Sequence, residues 1–344
     1  MDDVQNQLAK PSSDEVRRLW KMQSLEPLWE SPTAHKPDPG PEAAHIWHWS
    51  DVRPLIEHAF HETSPAAVER RVLQYIPPRA IEAGEERTVG NLTAALQCLL
   101  PGEVARPHRH TMNAVRFVIE EGGVITEVDG KDCPMEYGDL VLTPAWCWHG
   151  HRHVGSKPSI WLDVLDVPLH MALGTVVFQP PPMMNMPKTM ADAAFMVPNI
   201  LPVERLETRT HSPIYRYPYS DALKALAVAP ASPDGARRVR YANPETGGPA
   251  MSLLDSLMIE IDVGTTTLPT RSNASIFCLV VEGEGAVTIG DQTLSFAARD
   301  TFTVPPGNWR TMTAISDKVR IYQVSDVDML QRLGLLREEA GDAA

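Results

Sequence analysis

The sequence has 344 residues, with 44 acidic and 31 basic side chains and a formal net charge of −13. So acidic a chain has no extended positive field, which excludes nucleic acid and anionic membranes as expected partners. Its four cysteines include no CxxC pair and predict no disulfide framework. Because the N-terminus is polar and no run of about 18 apolar residues occurs, we expect a soluble, cytoplasmic protein without membrane association.

Residues 1–69 are predicted to form an N-terminal helical arm. Ser12 and Glu15 have the spacing of a helix capping box. Val16, Leu19 and Trp20 then fall on one helical face. The arm is therefore expected to contain a helix that starts near Ser12.

From residue 70 the pattern changes to short β-prone runs separated by Gly, Pro and Asp turns, which predicts a first β-barrel over 70–178. Residues 251–325 repeat the pattern and predict a second barrel. The Pro- and Asn-rich stretch 179–250 is predicted to be a linker with short helices. Residues 326–344 are predicted to form a C-terminal helix, so the fold class is all-β with short flanking helices.

Two spaced motifs of the first predicted barrel align with segments of the second, Gly264-x5-Thr270-x-Ser272 and Arg299-x5-Pro305-x-Gly307-x2-Arg310, and indicate an internal repeat. One is Gly-x5-His-x-His, and the other, about forty residues later, is Gly-x5-Pro-x-Trp-x2-His. The residues that stand at the histidine positions differ between the modules: His108, His110 and His149 in the first, and Thr270, Ser272 and Arg310 in the second. The framework repeats, but the histidines do not.

The three histidines of the first module are candidate metal ligands. His108 and His110 are two residues apart, which places both imidazoles on one face of a strand. His149, from a distant strand, would complete a set that suits Fe, Cu, Zn or Ni and leaves coordination positions open. Alternatively the PHRH segment is exposed surface, but the coincidence of two spaced motifs favours the metal site.

Four segments carry a resemblance to a known family: RPHRHTMNAVRFVIE at 106–120, GDLVLTPAWCWHGH at 138–151, WLDVLDVP at 161–168 and YANPETGGPAM at 241–251. They resemble the gentisate 1,2-dioxygenase family of the cupin superfamily. The resemblance implies a bicupin, with two jelly-roll cupin domains of which only the first keeps metal, and one Fe(II) per chain. It further implies a homotetramer that uses O2 and a small aromatic hydroxy acid, converting gentisate to maleylpyruvate.

Many cupins supply a glutamate ligand four or five positions after the HxH motif, whereas this chain has Ala114 and Val115 there. The resemblance makes this absence expected. Three neutral imidazoles leave Fe(II) its full charge, and a substrate with a carboxylate beside a phenolate can neutralise the metal itself.

Several residues are candidates for binding the substrate. Arg116 follows His110 by six residues, so on an uninterrupted strand it faces inward like the ligands. The resemblance implies that it binds the substrate carboxylate. The alternative is an outward-facing arginine in a solvated ion pair. By resemblance Arg71 is a second carboxylate clamp, although the sequence does not decide between Arg70 and Arg71. Gln97 resembles a pocket glutamine of the family.

His151 and Asp163 are predicted to take part in catalysis. His151 is expected to exchange a proton with the substrate hydroxyl, and Asp163 to orient a pocket histidine. Alternatively His151 is exposed together with His153, and Asp163 only bonds backbone at a strand end. Trp146 is a candidate aromatic wall of the substrate pocket, or else a core residue.

Thr93 stands where related enzymes often carry an aromatic residue, so the exact acid stays open. The alternatives are salicylate, a substituted salicylate and 1-hydroxy-2-naphthoate. A non-catalytic ligand-binding cupin is a more distant alternative. A transcription-regulating cupin would need a DNA-binding helical module and a basic face, and the sequence predicts neither.

Overall fold

The computed structural model describes residues 13–30, 42–181, 189–204 and 210–341. The chain divides into two compact units, Met1–Gly40 and Pro41–Ala344. Within the first unit, helix α1 (Ser13–Met22) and a turn of 3-10 helix (Leu28–Glu30) are described. This confirms an N-terminal helix, whereas Ser12 of the predicted capping box lies outside the described residues.

The second unit contains two β-barrels, which account for most of its strands. It begins with β1 (Ile46–Trp47), α2 (Trp49–Glu62) and α3 (Pro65–Val68). The first barrel and its inserted helix comprise β2 (Val72–Tyr75), α4 (Pro78–Ala83), β3 (Thr93–Leu99), β4 (Val104–His110), β5 (Ala114–Glu120), β6 (Val124–Val128), β7 (Lys131–Pro134), β8 (Leu140–Thr143), β9 (His149–His153) and β10 (Ser159–Leu165). The connection comprises α5 (Val167–Leu173), β11 (Phe178–Gln179), a 3-10 turn (Asp192–Phe195), β12 (Arg216–Tyr217), α6 (Tyr219–Val228) and β13 (Arg237–Arg240). The second barrel and the closing elements comprise β14 (Asp255–Asp262), β15 (Thr270–Ser272), β16 (Ile276–Glu282), β17 (Gly285–Ile289), β18 (Gln292–Phe296), β19 (Thr301–Val304), β20 (Trp309–Ala314), β21 (Lys318–Ser325), α7 (Val327–Arg332) and β22 (Glu338–Ala340).

Each barrel is built from two antiparallel sheets. In the first barrel, the six-stranded sheet β12-β8-β5-β10-β3-β2 is accompanied by the five-stranded sheet β11-β4-β9-β6-β7. In the second, β1-β19-β16-β21-β14-β13 is accompanied by β18-β17-β20-β15-β22. The matching strand orders confirm the predicted all-β fold with two repeated domains.

The segments predicted as arm and linker also add edge strands to the barrels. Strand β1 pairs with β19 of the second barrel, with Ile46 opposite Phe302. From the predicted linker, β12 pairs with β8 and β13 pairs with β14. Strands at a sheet edge pair through backbone groups, so their side chains need no distinctive pattern. Composition therefore predicted a linker and not these edge strands.

The C-terminal helix is shorter than predicted. Helix α7 ends at Arg332, and Gly334 follows with a φ of 69°, a left-handed conformation that commonly terminates helices. Beyond it, Glu338–Ala340 forms β22 and pairs with β15. No helix in the described ranges is long and apolar enough to span a membrane.

Three apolar cores occupy this unit. The largest lies between the two six-stranded sheets and joins Val115, Phe117 and Leu162 to Phe277 and Tyr322. A second core fills the second barrel. The core inside the first barrel is the smallest, because alternate residues of its strands that face inward are polar.

Candidate metal centre

His108, His110 and His149 converge inside the first barrel. His108 and His110 lie on β4, and His149 lies on β9 directly opposite His108. One ring nitrogen from each lies within 4.8 Å of the others, and all three residues are buried. The predicted ligand set is therefore brought together as a single cluster.

The backbone fixes the tautomer of all three rings. Each Nδ1 faces a backbone carbonyl oxygen: His108 that of Arg106 at 3.2 Å, His110 that of Met112 at 2.8 Å, and His149 that of Cys147 at 3.0 Å. Because a carbonyl can only accept, each Nδ1 carries the hydrogen and each Nε2 presents a lone pair. The Nε2 atoms of His108 and His149 are buried and have no partner among the described residues.

The environment keeps these imidazoles neutral, which is the metal-binding form. Burial lowers the pKa of His108 to about 2, and the positive charge of Arg70 adds to the effect. Burial also lowers the pKa of His110 to about 4 and that of His149 well below its usual value. Neutral rings with orphaned, converging lone pairs fit a divalent transition metal such as iron, and no carboxylate belongs to the cluster.

Arg116 and Asp163 form a buried pair beside the histidines. Their strands are neighbours, and Arg116 Nε lies 3.1 Å from Asp163 Oδ1, with both side chains at most 7% exposed. Arg116 Nη1 also donates to the Thr143 hydroxyl. Arg116 thus faces inward as parity predicted, while the partner of Asp163 is this arginine and not the predicted histidine.

Arg70, rather than the predicted Arg71, turns toward the cluster. Arg71 donates to the Thr63 carbonyl and pairs bidentately with Glu103, with contacts of 2.7–3.0 Å. The Nε of Arg70 is buried without a partner among the described residues, and burial together with Arg116 lowers the pKa of Arg70 to about 10.

Gln97 and His151 complete the polar lining. Gln97 is 1% exposed, and its Nε2 has no partner among the described residues. His151 Nδ1 lies 2.8 Å from the Thr126 hydroxyl, and its Nε2 is buried without a described partner. Burial, with Arg116 adding to it, lowers the pKa of His151 well below its usual value. His151 is therefore a buried neutral imidazole and not the exposed residue of the alternative.

Trp146 does not lie where the substrate-wall prediction placed it. The residue is 40% exposed, and the Arg109 guanidinium lies 4.3 Å from its ring centroid. Arg109 alternates with the two ligands on β4 and so points away from them. Trp146 has a φ of 64°, so the chain turns sharply there and carries the ring to the outer face.

Two further residues at the centre were not predicted from the sequence. Phe178 on β11 pairs with His110, and its ring stacks on His108 with centroids 5.4 Å apart. Thr126 is buried on β6 among inward-facing valines and contacts His151. A lone Thr in the alternating run VITEV is a signal that could have identified Thr126, whereas the two-residue strand β11 carries no such pattern.

The paired barrels define a bicupin, and the three-histidine cluster, the one such group among the described residues, is a candidate metal site within it. Residues 95–165 and 257–324 each match the cupin domain family. Gentisate 1,2 dioxygenase 1 of Aquipseudomonas alcaligenes is 34% identical over 343 residues, covering 96% of this chain and 98% of that protein. A 1-hydroxy-2-naphthoate 1,2-dioxygenase of Nocardioides sp. is 32% identical over 314 residues, covering 87% of this chain and 80% of that protein.

A solved structure agrees with these relatives. The crystal structure of salicylate 1,2-dioxygenase from Pseudoaminobacter salicylatoxidans as adducts with gentisate superposes with a TM-score of 0.85 at 28% identity, covering 98% of this chain and 97% of that one. The chain therefore belongs to the gentisate 1,2-dioxygenase family and is a ring-cleaving dioxygenase. This supports an enzyme over the non-catalytic alternative.

Proposed function

We propose that the chain binds one Fe(II) through His108, His110 and His149 and converts gentisate and O2 to maleylpyruvate. The observation that carries the proposal is the cluster of three neutral imidazoles, without a carboxylate, beside buried guanidinium groups. When bound, Fe(II) supplies the redox chemistry that couples ring oxidation to O2 reduction.

Arg116 and Arg70 bind the substrate carboxylate. Apart from a bound iron, the charged groups inside this barrel are these two guanidiniums and the carboxylate of Asp163, which leave one positive charge uncompensated; Glu69, the other acid near Arg70, is exposed. An unpaired charge in such a place is unfavourable unless a ligand neutralises it. A monoanionic aromatic acid supplies the missing negative charge, and Arg116 Nη2 donates to none of the described residues and is available to it.

His151 accepts the proton of the substrate hydroxyl at Nε2. Burial leaves the free ring neutral with an open lone pair, and the negative charge of the ionised substrate would stabilise the protonated ring, while Thr126 contacts its Nδ1 side. The Thr126 hydroxyl also lies 2.9 Å from the Met135 sulfur, which can only accept. Donation to that sulfur leaves the hydroxyl to accept from Nδ1–H, so the Nε2 lone pair faces the cavity, where Gln97 offers its amide.

A bicyclic acid is a second candidate substrate, favoured by the small residues at one end of the cavity. Thr93 and Ala95 share the inward parity of Gln97 on β3, and all three are buried. An aromatic residue at Thr93 would occupy space that these side chains leave free. This favours 1-hydroxy-2-naphthoate as the alternative, with salicylate and substituted salicylates also to be tested.

The test is oxygen consumption by protein loaded with Fe(II) in the absence of oxygen. We expect rapid uptake with gentisate and slower uptake with salicylate and 1-hydroxy-2-naphthoate. Faster uptake with the naphthoate would establish the second candidate. Failure of every acid to support uptake by the iron-loaded chain would overturn the proposed function. The homotetramer implied by the resemblance stays a prediction, which mass measurement by light scattering tests.

A further inference from the structure

The second barrel keeps a polar group at the positions that hold the ligands in the first barrel. Thr270 pairs with Arg310 across β15 and β20, just as His108 pairs with His149 across β4 and β9. Ser272 takes the place of His110, two residues further along the strand. Arg310 shares the parity of Met312 and Ala314, which belong to the core inside this barrel. Its side chain is thus directed inward.

Among the described residues, the hydrogen-bond partners of Arg310 are neutral. Its Nε lies 3.4 Å from the Thr270 hydroxyl, and its Nη1 lies 3.3 Å from Gln323 Oε1. Within the described ranges, no carboxylate oxygen comes within 4.0 Å of its guanidinium nitrogens. Burial lowers the pKa of Arg310. Two acids lie nearby without forming an ion pair with it: Asp234 is paired bidentately with Arg238, and Glu338 is exposed on β22.

Comparison with the first barrel shows what is missing. There, Arg116 stands opposite Asp163 in the strand ladder, and the acid neutralises the arginine. The corresponding pair in the second barrel is Cys278 opposite Gln323, so the acid is replaced by a neutral amide that is 4% exposed. A half-buried guanidinium without a counter-ion is unfavourable by itself and favours an anionic ligand.

We propose that the second barrel binds a small monocarboxylate, with Arg310 as its counter-ion and Thr270, Ser272 and Gln323 as hydrogen-bonding groups. The planar guanidinium fork matches a carboxylate, and one positive charge balances one negative charge, which disfavours phosphate dianions. The buried Cys278 and Met312 give the organic part of the ligand an apolar contact. This site needs no metal and is independent of the proposed reaction.

Calorimetric titration of the full-length iron-loaded protein with acetate, under anaerobic conditions, tests this site. We expect acetate binding that Arg310→Met weakens at least tenfold, a loss of about 1.4 kcal/mol. The first barrel is also proposed to bind carboxylates through Arg116, so Arg310→Met is compared with the parent in the Arg116→Gln background, which should retain acetate binding at Arg310. Arg271→Gln is the matched control on β15, since Arg271 pairs with the exposed Glu339. Inorganic phosphate should not compete at equal concentration, and effective competition would overturn the assignment of a monocarboxylate.

Gln323→Glu separates ligand binding from a purely structural role. It supplies the carboxylate that Asp163 supplies in the first barrel, so it should raise the Tm without acetate and abolish acetate binding. Arg310→Met should also raise the Tm of ligand-free protein, whereas an arginine needed for packing would lower it. Unchanged acetate affinity in Gln323→Glu, or no acetate binding by the parent, would overturn the proposal even if Arg310→Met fails to fold.

Discussion

Arg116 and Asp163 stand opposite each other on β5 and β10, with Nε and Oδ1 3.1 Å apart inside the first barrel. Arg116 Nε faces Asp163 and Nη1 donates to the Thr143 hydroxyl, while Nη2 donates to none of the described residues. The acid therefore positions the arginine instead of a histidine. The proposed substrate contact of Arg116 is therefore separate from the proposed metal site, because neither residue belongs to the histidine cluster.

Replacing Arg116 with Ala should leave iron content unchanged and lower kcat/KM, by a free energy on the order of 2–5 kcal/mol for a desolvated charge pair that loses one partner. Arg116→Lys should recover only part of the loss, since an ammonium lacks the planar fork. As a control, a dihydroxybenzene without the carboxylate should be a poor substrate that loses little further. Equal losses for both substrates would show that Arg116 does not bind the carboxylate.

Arg70 and Arg71 form a matched pair of variants. Arg70→Met should raise KM for gentisate about tenfold or more while stability changes little, because Arg70 Nε has no partner among the described residues. Arg71→Met should spare KM and lower the free energy of unfolding by roughly 1–3 kcal/mol, because Glu103 and the Thr63 carbonyl lose their donor. Steady-state kinetics and urea denaturation distinguish the two, and the reverse pattern would reassign them.

Each of the substitutions His108→Ala, His110→Ala and His149→Ala should weaken iron binding at least about tenfold, since even the loss of an outer hydrogen-bond partner has that effect at metal sites. Metal analysis of the parent should give one iron per chain, because the second barrel offers Thr270, Ser272 and Arg310 at the equivalent places. A second equivalent retained by the parent would contradict the assignment of the second barrel.

The stability of iron-free protein should fall as the pH drops from 6.5 toward 4. Burial holds the pKa of His110 at about 4 in the folded chain, against 6.5 for an unperturbed histidine, and His108 lower still. Between these values the unfolded chain binds protons that the folded chain does not. Each such proton contributes about 1.4 kcal/mol per pH unit, and the loss is absent above pH 6.5.

Urea denaturation of iron-free protein at several pH values measures this slope. His108→Gln removes one of the titrating rings and should make the slope shallower. A free energy of unfolding that stays level between pH 6.5 and 4 would mean that the histidines titrate alike in both states.

The ligand histidines were predictable because a two-residue spacing on a strand places both rings on one face wherever the strand begins. The choice between Arg70 and Arg71 was not predictable. Strand β2 begins only at Val72, and the alternation of inward and outward side chains cannot be counted before a strand begins. Trp146 was misplaced because its positive φ breaks the alternation on which the prediction relied. Asp163 was predicted to orient a histidine because the sequence does not show which residue lies opposite it. Only the register of β5 and β10 shows that this neighbour is Arg116.

The strand that carries Arg116 also joins the two barrels. Its next residue, Phe117, points the other way and stacks on Tyr322 of the second barrel, with ring centroids 4.3 Å apart. An isolated first barrel would expose this apolar sheet face to water and would be expected to aggregate. The second barrel, which has no histidines at the ligand positions, thus serves as a folding partner that keeps an apolar sheet face of the first barrel out of water.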